Sequence, residues 1–300
     1  MAIPPWMEFM RLKNVALALP TVYVGSWMAS PDGWLEQHIV GSTILALSVA
    51  TFMGAGNGIN DILDYENDKT NHPSRVLPSG RIEVDSAKKL VGVFSALSLI
   101  SIITYSIMFY SENEYFPIAT ICIWLTAVSL IVTYEFGPKT KNKGFVGNLV
   151  ISIMVGLVIM YGATTSESQF DSFIILVALT AMMINLAREI LKDCEDIGGD
   201  RGRETLPMRI GIEKTRSISY VISLAGMILA ALPYYLGLHG ISIGLLLLQL
   251  PTILNIITLN GVIPSGDDRK AQLRLRIALA TGLLGFVLTV AINQTSMISA

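Results

Sequence analysis

The sequence predicts an all-α, polytopic membrane protein of about nine transmembrane helices, and three observations predict it. Of 300 residues, 52% are hydrophobic and only 15% charged, a balance that ordinary soluble domains do not show. Between Arg216 and Asp267, fifty consecutive residues contain no Asp, Glu, Lys or Arg. When the apolar stretches are counted as spans, all 21 Lys and Arg residues fall on one side of the membrane. The same composition excludes secreted disulfide scaffolds and disordered chains. A net charge of −2 gives no global basic field, so a nucleic-acid partner has no electrostatic support. Cys122 lies in an apolar run, and Cys194 sits among acids without a CxxC or His companion, so neither suggests a metal or redox pair.

A hydrocarbon core about 30 Å thick needs a helix of roughly 20 apolar residues. The first such stretch, 14–30, follows Arg11 and Lys13 and reaches Ala29 and Ser30, which resembles a signal peptide. Eight further spans behind it favour an uncleaved first helix. These lie at 38–59, 88–110, 115–135, 145–164, 170–190, 216–236, 241–260 and 274–293. The fifty-residue neutral run is read as a hairpin of two of them, because Pro233 to Gly240 interrupts its apolar pattern. The connections then alternate sides. Arg11 and Lys13; Lys69 to Lys89; Lys139, Lys141 and Lys143; Arg188 to Arg216; and Arg269 to Arg276 share one face, while the opposite connections carry Asp32, Glu36, Glu112, Glu114, Glu167 and Asp171. Positive charge marks the cytoplasmic side, which places the N-terminus inside and the C-terminus outside.

Two cytoplasmic connections are long and acidic, within 60–87 and 188–215, and long loops of this kind are usually functional. An offset of 132 lays Asn60, Asp61, Asp64 and Asp68 over Lys192, Asp193, Asp196 and Asp200, and brings Leu77-Pro78 near Leu206-Pro207. The overlap hints at an internal repeat of a four-helix unit within a single domain covering 1–300. Four spans separate the loops, so both open on the same face. If the second helix runs past Asp68, steps of about 100° per residue gather Asn60, Asp61, Asp64 and Asp68 into one stripe. Such a stripe repels itself unless a cation is near. Gly198 and Gly199 are expected to unwind the second cluster before Asp200. Oxygen ligands with almost no Cys or His favour a hard ion. The EF-hand spacing is missing, and Mg²⁺ fits a few carboxylates completed by substrate phosphate oxygens. Arg75, Arg81, Lys139, Lys141, Lys143, Lys192, Arg201 and Arg203 lie on the same face, where a polyanion would need them. Topology signalling explains the three lysines around residue 141 equally well.

Asn60-Asp61-Ile-Leu-Asp64-Tyr-Glu-Asn-Asp68, followed by Arg75-Val-Leu-Pro78-Ser-Gly80, resembles the first aspartate motif of the UbiA family of intramembrane prenyltransferases, N-D-x-x-D-x-x-x-D. Asp193-Cys-Glu-Asp196-Ile-Gly-Gly-Asp200, with Lys192 before it and Thr205-Leu-Pro207 after, resembles the second, D-x-x-D-x-x-x-D. The resemblance covers nearly the whole chain. It implies a helical bundle around a central cavity, two Mg²⁺ ions holding a prenyl diphosphate between the motifs, and a lipid-side opening for the isoprenoid tail. Arg188-Glu-Ile-Leu-Lys192 and Arg75-Val-Leu-Pro-Ser-Gly-Arg81 are similar to the archaeal members that add a second geranylgeranyl chain to geranylgeranylglyceryl phosphate in ether lipid biosynthesis. Val76 departs from the Pro often found there, and the link from Asp200 to Thr205 is short.

Breaking an allylic diphosphate leaves a delocalised cation and a charged pyrophosphate, so the useful groups are those that bind more strongly as charge reaches the leaving group. The expected ligands are Asn60, Asp64 and Asp68 for one metal and Asp196 and Asp200 for the other, with Asp61 and Asp193 ligating or supporting. Arg75 and Lys192 would steady the diphosphate, joined by Arg81, Lys139 and Lys143. Arg188, Arg201 and Arg203 remain for a phosphate on the acceptor. Tyr65, Tyr134 and Tyr161 are open candidates for stabilising the allylic cation. Aromatic quinone precursors, chlorophyllide and haem are alternative acceptors for the same chemistry. An ion-coupled transporter is a remote alternative, since its path would put ionisable groups within the spans, which are nearly bare here. The expected partners are the prenyl diphosphate, a lipophilic acceptor and membrane lipid, with no obligate protein partner.

Overall fold

The computed structural model describes residues 3–197 and 204–298. Every regular element among them is helical: α1 Pro5–Phe9, α2 Leu12–Ala29, α3 Trp34–Gln37, α4 Ile39–Leu63, α5 Tyr65–Asn71, α6 Val84–Asn113, α7 Ile118–Glu135, α8 Phe145–Ala163, α9 Ser172–Asp196, α10 Leu206–Ile210, α11 Ile212–Tyr235, α12 Leu250–Ile257, α13 Leu259–Val262 and α14 Asp268–Ile298, with short 3-10 turns between some of them. Among the described residues, eight helical segments are long and apolar enough to cross a membrane. They correspond to the second through ninth expected spans, and most begin or end a turn beyond them. The first expected span is α2, which is not one of the eight. Lys13, Asn14 and Pro20 dilute its apolar character.

The span expected at 241–260 is a broken segment, Ile243–Ser265. It begins as a 3-10 turn, Ile243–Gln249, and becomes α-helical only at Leu250, where Pro251 occupies the first turn. Proline is tolerated there because its missing N–H would have had no partner within the helix. The reversal falls within the expected Pro233 to Gly240 stretch, at its C-terminal half. Pro233 stays inside the last turn of α11, and Gly237, His239 and Gly240, all at positive φ, make the reversal.

The chain forms two compact units, residues 1–131 with 161–167 and residues 132–160 with 168–300. In the first, α4 packs on α6 and α2. Hydroxyl contacts join its helices, Ser26 to Thr165 at 2.6 Å and Ser42 to Ser26 at 2.8 Å, satisfying polar groups that lipid cannot. Gly162 lies so close to α2 that a Cβ would stand 2.1 Å from the Val22 carbonyl oxygen. In the second, α9 is the central helix, packed by α11 and α14 around fully buried Ala187, Leu191, Ile256, Leu259, Ala271 and Leu275. Tyr234, Thr289 and Gln249 form a buried hydrogen-bonded cluster nearby, at 2.7 and 3.1 Å.

Candidate functional site: two aspartate-bearing helix ends

The first motif sits where α4 passes into α5. Asp64 is the one non-helical residue between them, at φ −91° and ψ 6°. The i to i−4 bonds nevertheless continue through it, from Asp64 N–H to Asn60, Asp68 N–H to Asp64 and His72 N–H to Asp68, at 2.8 to 2.9 Å. The helix therefore does carry on past Asp68, and Asn60, Asp64 and Asp68 recur at its four-residue spacing. The Asn60 amide donates to Asp64 Oδ2 at 3.1 Å. Asp68 is buried, and Arg75 Nη1 donates to its Oδ2 at 2.6 Å. Asp61, also buried, accepts from Arg11 Nη2 at 2.6 Å.

The loop after α5 is fastened from beneath. Val76 and Leu77 are buried in a cluster with Phe9, Met10, Ala55, Ala87 and Phe94, so the Val76 that departs from the family pattern is a packing residue. Above them Ser79 N–H bonds to Arg75 and Arg81 N–H to Val76, with Gly80 at φ +73° making the turn. The Arg81 guanidinium donates to both Glu8 carboxylate oxygens at 2.5 and 2.8 Å, to the Ser74 carbonyl at 2.9 Å and to Ser79 Oγ at 3.0 Å. That hydrogen bonding holds the Glu8 carboxyl below the usual carboxylate range. Lys69 lies over the Tyr65 ring, 4.3 Å from its centroid, and pairs with Glu66.

The second motif begins in the last turn of α9, which carries Asp193 and Asp196. Asp193 Oδ2 accepts from the Asn148 amide of α8 at 2.8 Å. One to two turns back, Asn185 donates to Ser152 at 3.2 Å and accepts from Arg188 Nη2 at 3.1 Å, while Arg188 also pairs with Glu189. The Gln272 amide of α14 donates to Glu195 at 2.6 Å. Lys192 and Asp196 are exposed. Asp200, Arg201 and Arg203, and the expected unwinding at Gly198 and Gly199, lie outside the described residues.

The α7–α8 connection belongs to the same unit. Lys141 is buried in an ion pair with Glu135 at 2.7 Å, their side chains 7% and 2% exposed. Lys139 and Lys143 are exposed, and Lys139 takes a left-handed φ of +44°. Glu204 N–H bonds to the Asn142 carbonyl at 3.1 Å, and a Cβ on Gly144 would stand 2.7 Å from the Glu204 oxygen. The connection is thus pressed against the segment that follows the second motif.

Several of these contacts are absent from the sequence reading. Arg11 and Glu8 reach the first motif and its loop across 50 and 73 residues, and Asn148 reaches the second across 45. No local pattern announces such pairs. Among the described residues no three His, Cys, Asp or Glu side chains converge as a metal-holding group. The donors at both motifs are oxygens, few per helix end. That suits an ion completing its shell with substrate oxygens and water, as Mg²⁺ commonly does, better than an all-protein cage.

A sequence model of the UbiA prenyltransferase family matches residues 18–280. The chain belongs to that family. It is 34% identical over 298 residues to the digeranylgeranylglyceryl phosphate synthase of Saccharolobus solfataricus, covering 96% of this chain and 97% of that one. A solved structure described as bearing on digeranylgeranylglyceryl phosphate synthase in membranes shares 27% identity, with a TM-score of 0.75 over 95% of this chain and 97% of that one. A UbiA homolog from Archaeoglobus fulgidus, solved bound to GPP and Mg²⁺, is 16% identical with a TM-score of 0.62, covering 99% of this chain and 100% of that one, and shares the fold. Membership makes the chain a prenyltransferase.

Proposed function

We propose that this protein transfers a geranylgeranyl group from its diphosphate to geranylgeranylglyceryl phosphate, forming an ether lipid precursor and releasing pyrophosphate. The observation that carries the reading is 34% identity across 96% of the chain to a digeranylgeranylglyceryl phosphate synthase, with both aspartate motifs present. In the reaction the acceptor hydroxyl oxygen bonds to the allylic carbon, the carbon–oxygen bond to the diphosphate breaks, and the hydroxyl proton leaves.

Mg²⁺, two ions in this reading, would neutralise charge arriving on the departing pyrophosphate. Asn60, Asp64 and Asp68 would hold one and Asp193, Asp196 and Asp200 the other, with Asp61 beside the first set. Arg75 and Lys192 would steady the diphosphate, with Lys139 and Lys143 exposed on the α7–α8 connection; Arg81, expected to join them, is held by Glu8, Ser74 and Ser79 and would have to exchange those contacts to do so. Arg188, Arg201 and Arg203 would serve the acceptor phosphate. The one-sided distribution of basic residues supports a cytoplasmic opening for the site and an N-terminus on that side. Apolar spans surrounding the reacting carbon would keep water from the allylic cation.

The test is competition. Purified protein receives geranylgeranyl diphosphate and Mg²⁺ with geranylgeranylglyceryl phosphate, 4-hydroxybenzoate, a naphthoate and haem together, and products are identified by mass. The glycerol lipid is expected to be consumed; preference for an aromatic acceptor or haem would overturn the acceptor and leave the prenyl transfer standing.

A further inference from the structure

We infer that Arg11 withholds Asp61 from the metal, so that Asp61 is a strut and Arg11 a positioning residue for the first aspartate motif. The inference rests on the magnesium-dependent reading above. It arises from four consecutive residues, Glu8 to Arg11, which precede the matched family segment 18–280. Each of them grips the motif region. Glu8 takes the Arg81 guanidinium on both oxygens. The Phe9 ring, fully buried, lies 2.8 Å from where a Cβ on Gly58 would stand, with Val91 at 2.6 Å, so a larger residue there would push the ring or Val91 aside. The Met10 carbonyl accepts from the Asn57 amide at 3.0 Å. Arg11 adopts a left-handed backbone, φ 56° and ψ 56°, and donates to Asp61 at 2.6 Å. A non-glycine residue held at positive φ is unfavourable and persists where its surroundings over-determine it.

The helix periodicity gives these contacts their meaning. Met10 also meets Gly54, so the positions touched by the strap are Gly54, Asn57, Gly58 and Asp61, spaced three and four apart along one face of α4. Asn60, Asp64 and Asp68 form a second stripe, centred about 70° round the axis from the first. Asp61 therefore stands on the strap's face, its side chain 10% exposed and its Oδ1 bound by a guanidinium. Set free, it would border the metal stripe as an extra carboxylate. It would attract a cation more strongly, and would occupy or repel the place that diphosphate oxygens must take.

The experiment uses full-length protein in detergent, with Mn²⁺ as the probe followed by electron paramagnetic resonance, alongside the KM for geranylgeranyl diphosphate. Arg11→Gln is expected to bind Mn²⁺ about three- to tenfold more tightly while its KM rises about tenfold, the opposite signs expected if a freed carboxylate competes with the substrate. Adding Asp61→Asn to Arg11→Gln should return both values most of the way, and Arg11→Lys should fall between wild type and Arg11→Gln. Glu8→Gln, which loosens the same strap without touching Asp61, should lower the melting midpoint without changing Mn²⁺ affinity. Weaker or unchanged Mn²⁺ binding in Arg11→Gln, no rescue by Asp61→Asn, or no Mn²⁺ binding by wild type would each overturn the inference. If the Mn²⁺ pattern holds but wild type transfers no geranylgeranyl group, the proposed function fails and the role of Arg11 stands.

Discussion

The helices that deliver the two motifs, α4 and α9, are each 25 residues long, and the 132-residue offset carries 39–63 onto 171–195, one residue from the observed α9. Their carboxylates are met differently. At the first motif guanidinium groups answer Asp61 and Asp68 directly, Arg11 from the strap before α2 and Arg75 from the loop after α5. At the second, Asp193 is met by the neutral amide of Asn148 and its neighbour Glu195 by Gln272, while Arg188 is turned toward Asn185 and Glu189. Two motifs that share three aligned acids thus differ in the contacts described at them. Removing an amide from a carboxylate forfeits one charge-assisted hydrogen bond, whereas removing a guanidinium leaves a buried charge without its counter-ion.

That contrast predicts unequal losses when a partner is removed at each motif. Arg75→Ala deprives buried Asp68 of its cation and the diphosphate of a neighbouring donor, and about a 100-fold fall in kcat/KM is expected. Asn148→Ala removes an amide that orients Asp193, and about a tenfold fall is expected, from the lower end of supporting-residue effects. Steady-state kinetics on both variants settle the order. Equal losses would erase the distinction between the two helix ends, and a larger loss in Asn148→Ala would reverse it.

The smallest expected effect concerns the strap. Because the folded Glu8 carboxyl is held below its usual range by Arg81, the pair stabilises the protein above the unfolded pKa, and that contribution disappears as pH falls through the lowered folded value. Melting curves of wild type and Glu8→Gln should therefore differ at neutral pH and converge in acid. A difference that grows on acidification would mean the carboxylate is not held by Arg81.

Much of the fold was legible because membrane spans obey two strong rules, length of apolar chain and sidedness of basic residues. Spans two to nine correspond to the eight membrane-length helices among the described residues. The break inside Ile243–Ser265 was not anticipated, since no charge interrupts that run and the switch at Pro251 is a matter of backbone hydrogen bonding. At the site, the helical spacing of Asn60, Asp64 and Asp68 could be read from sequence, because periodicity is local. The partners could not. Arg11 read as a topology signal, yet its backbone is turned left-handed onto Asp61, and Lys141, which fitted topology or ligand equally, is buried against Glu135. Contacts across 45 to 73 residues depend on how helices pack, and hydropathy has no knowledge of that.

The most direct test of the account is pyrophosphate release by purified protein given geranylgeranyl diphosphate and geranylgeranylglyceryl phosphate, with Mg²⁺ present or chelated, for wild type and for Asp64→Ala, Asp68→Ala and Asp196→Ala. Release by wild type should require Mg²⁺, and each variant should lose on the order of a thousandfold or more while still inserting and purifying, since charge stabilisation of the leaving group rather than packing is removed. Near-wild-type release by any of the three variants at limiting Mg²⁺, or equal release with Mg²⁺ chelated, would contradict it.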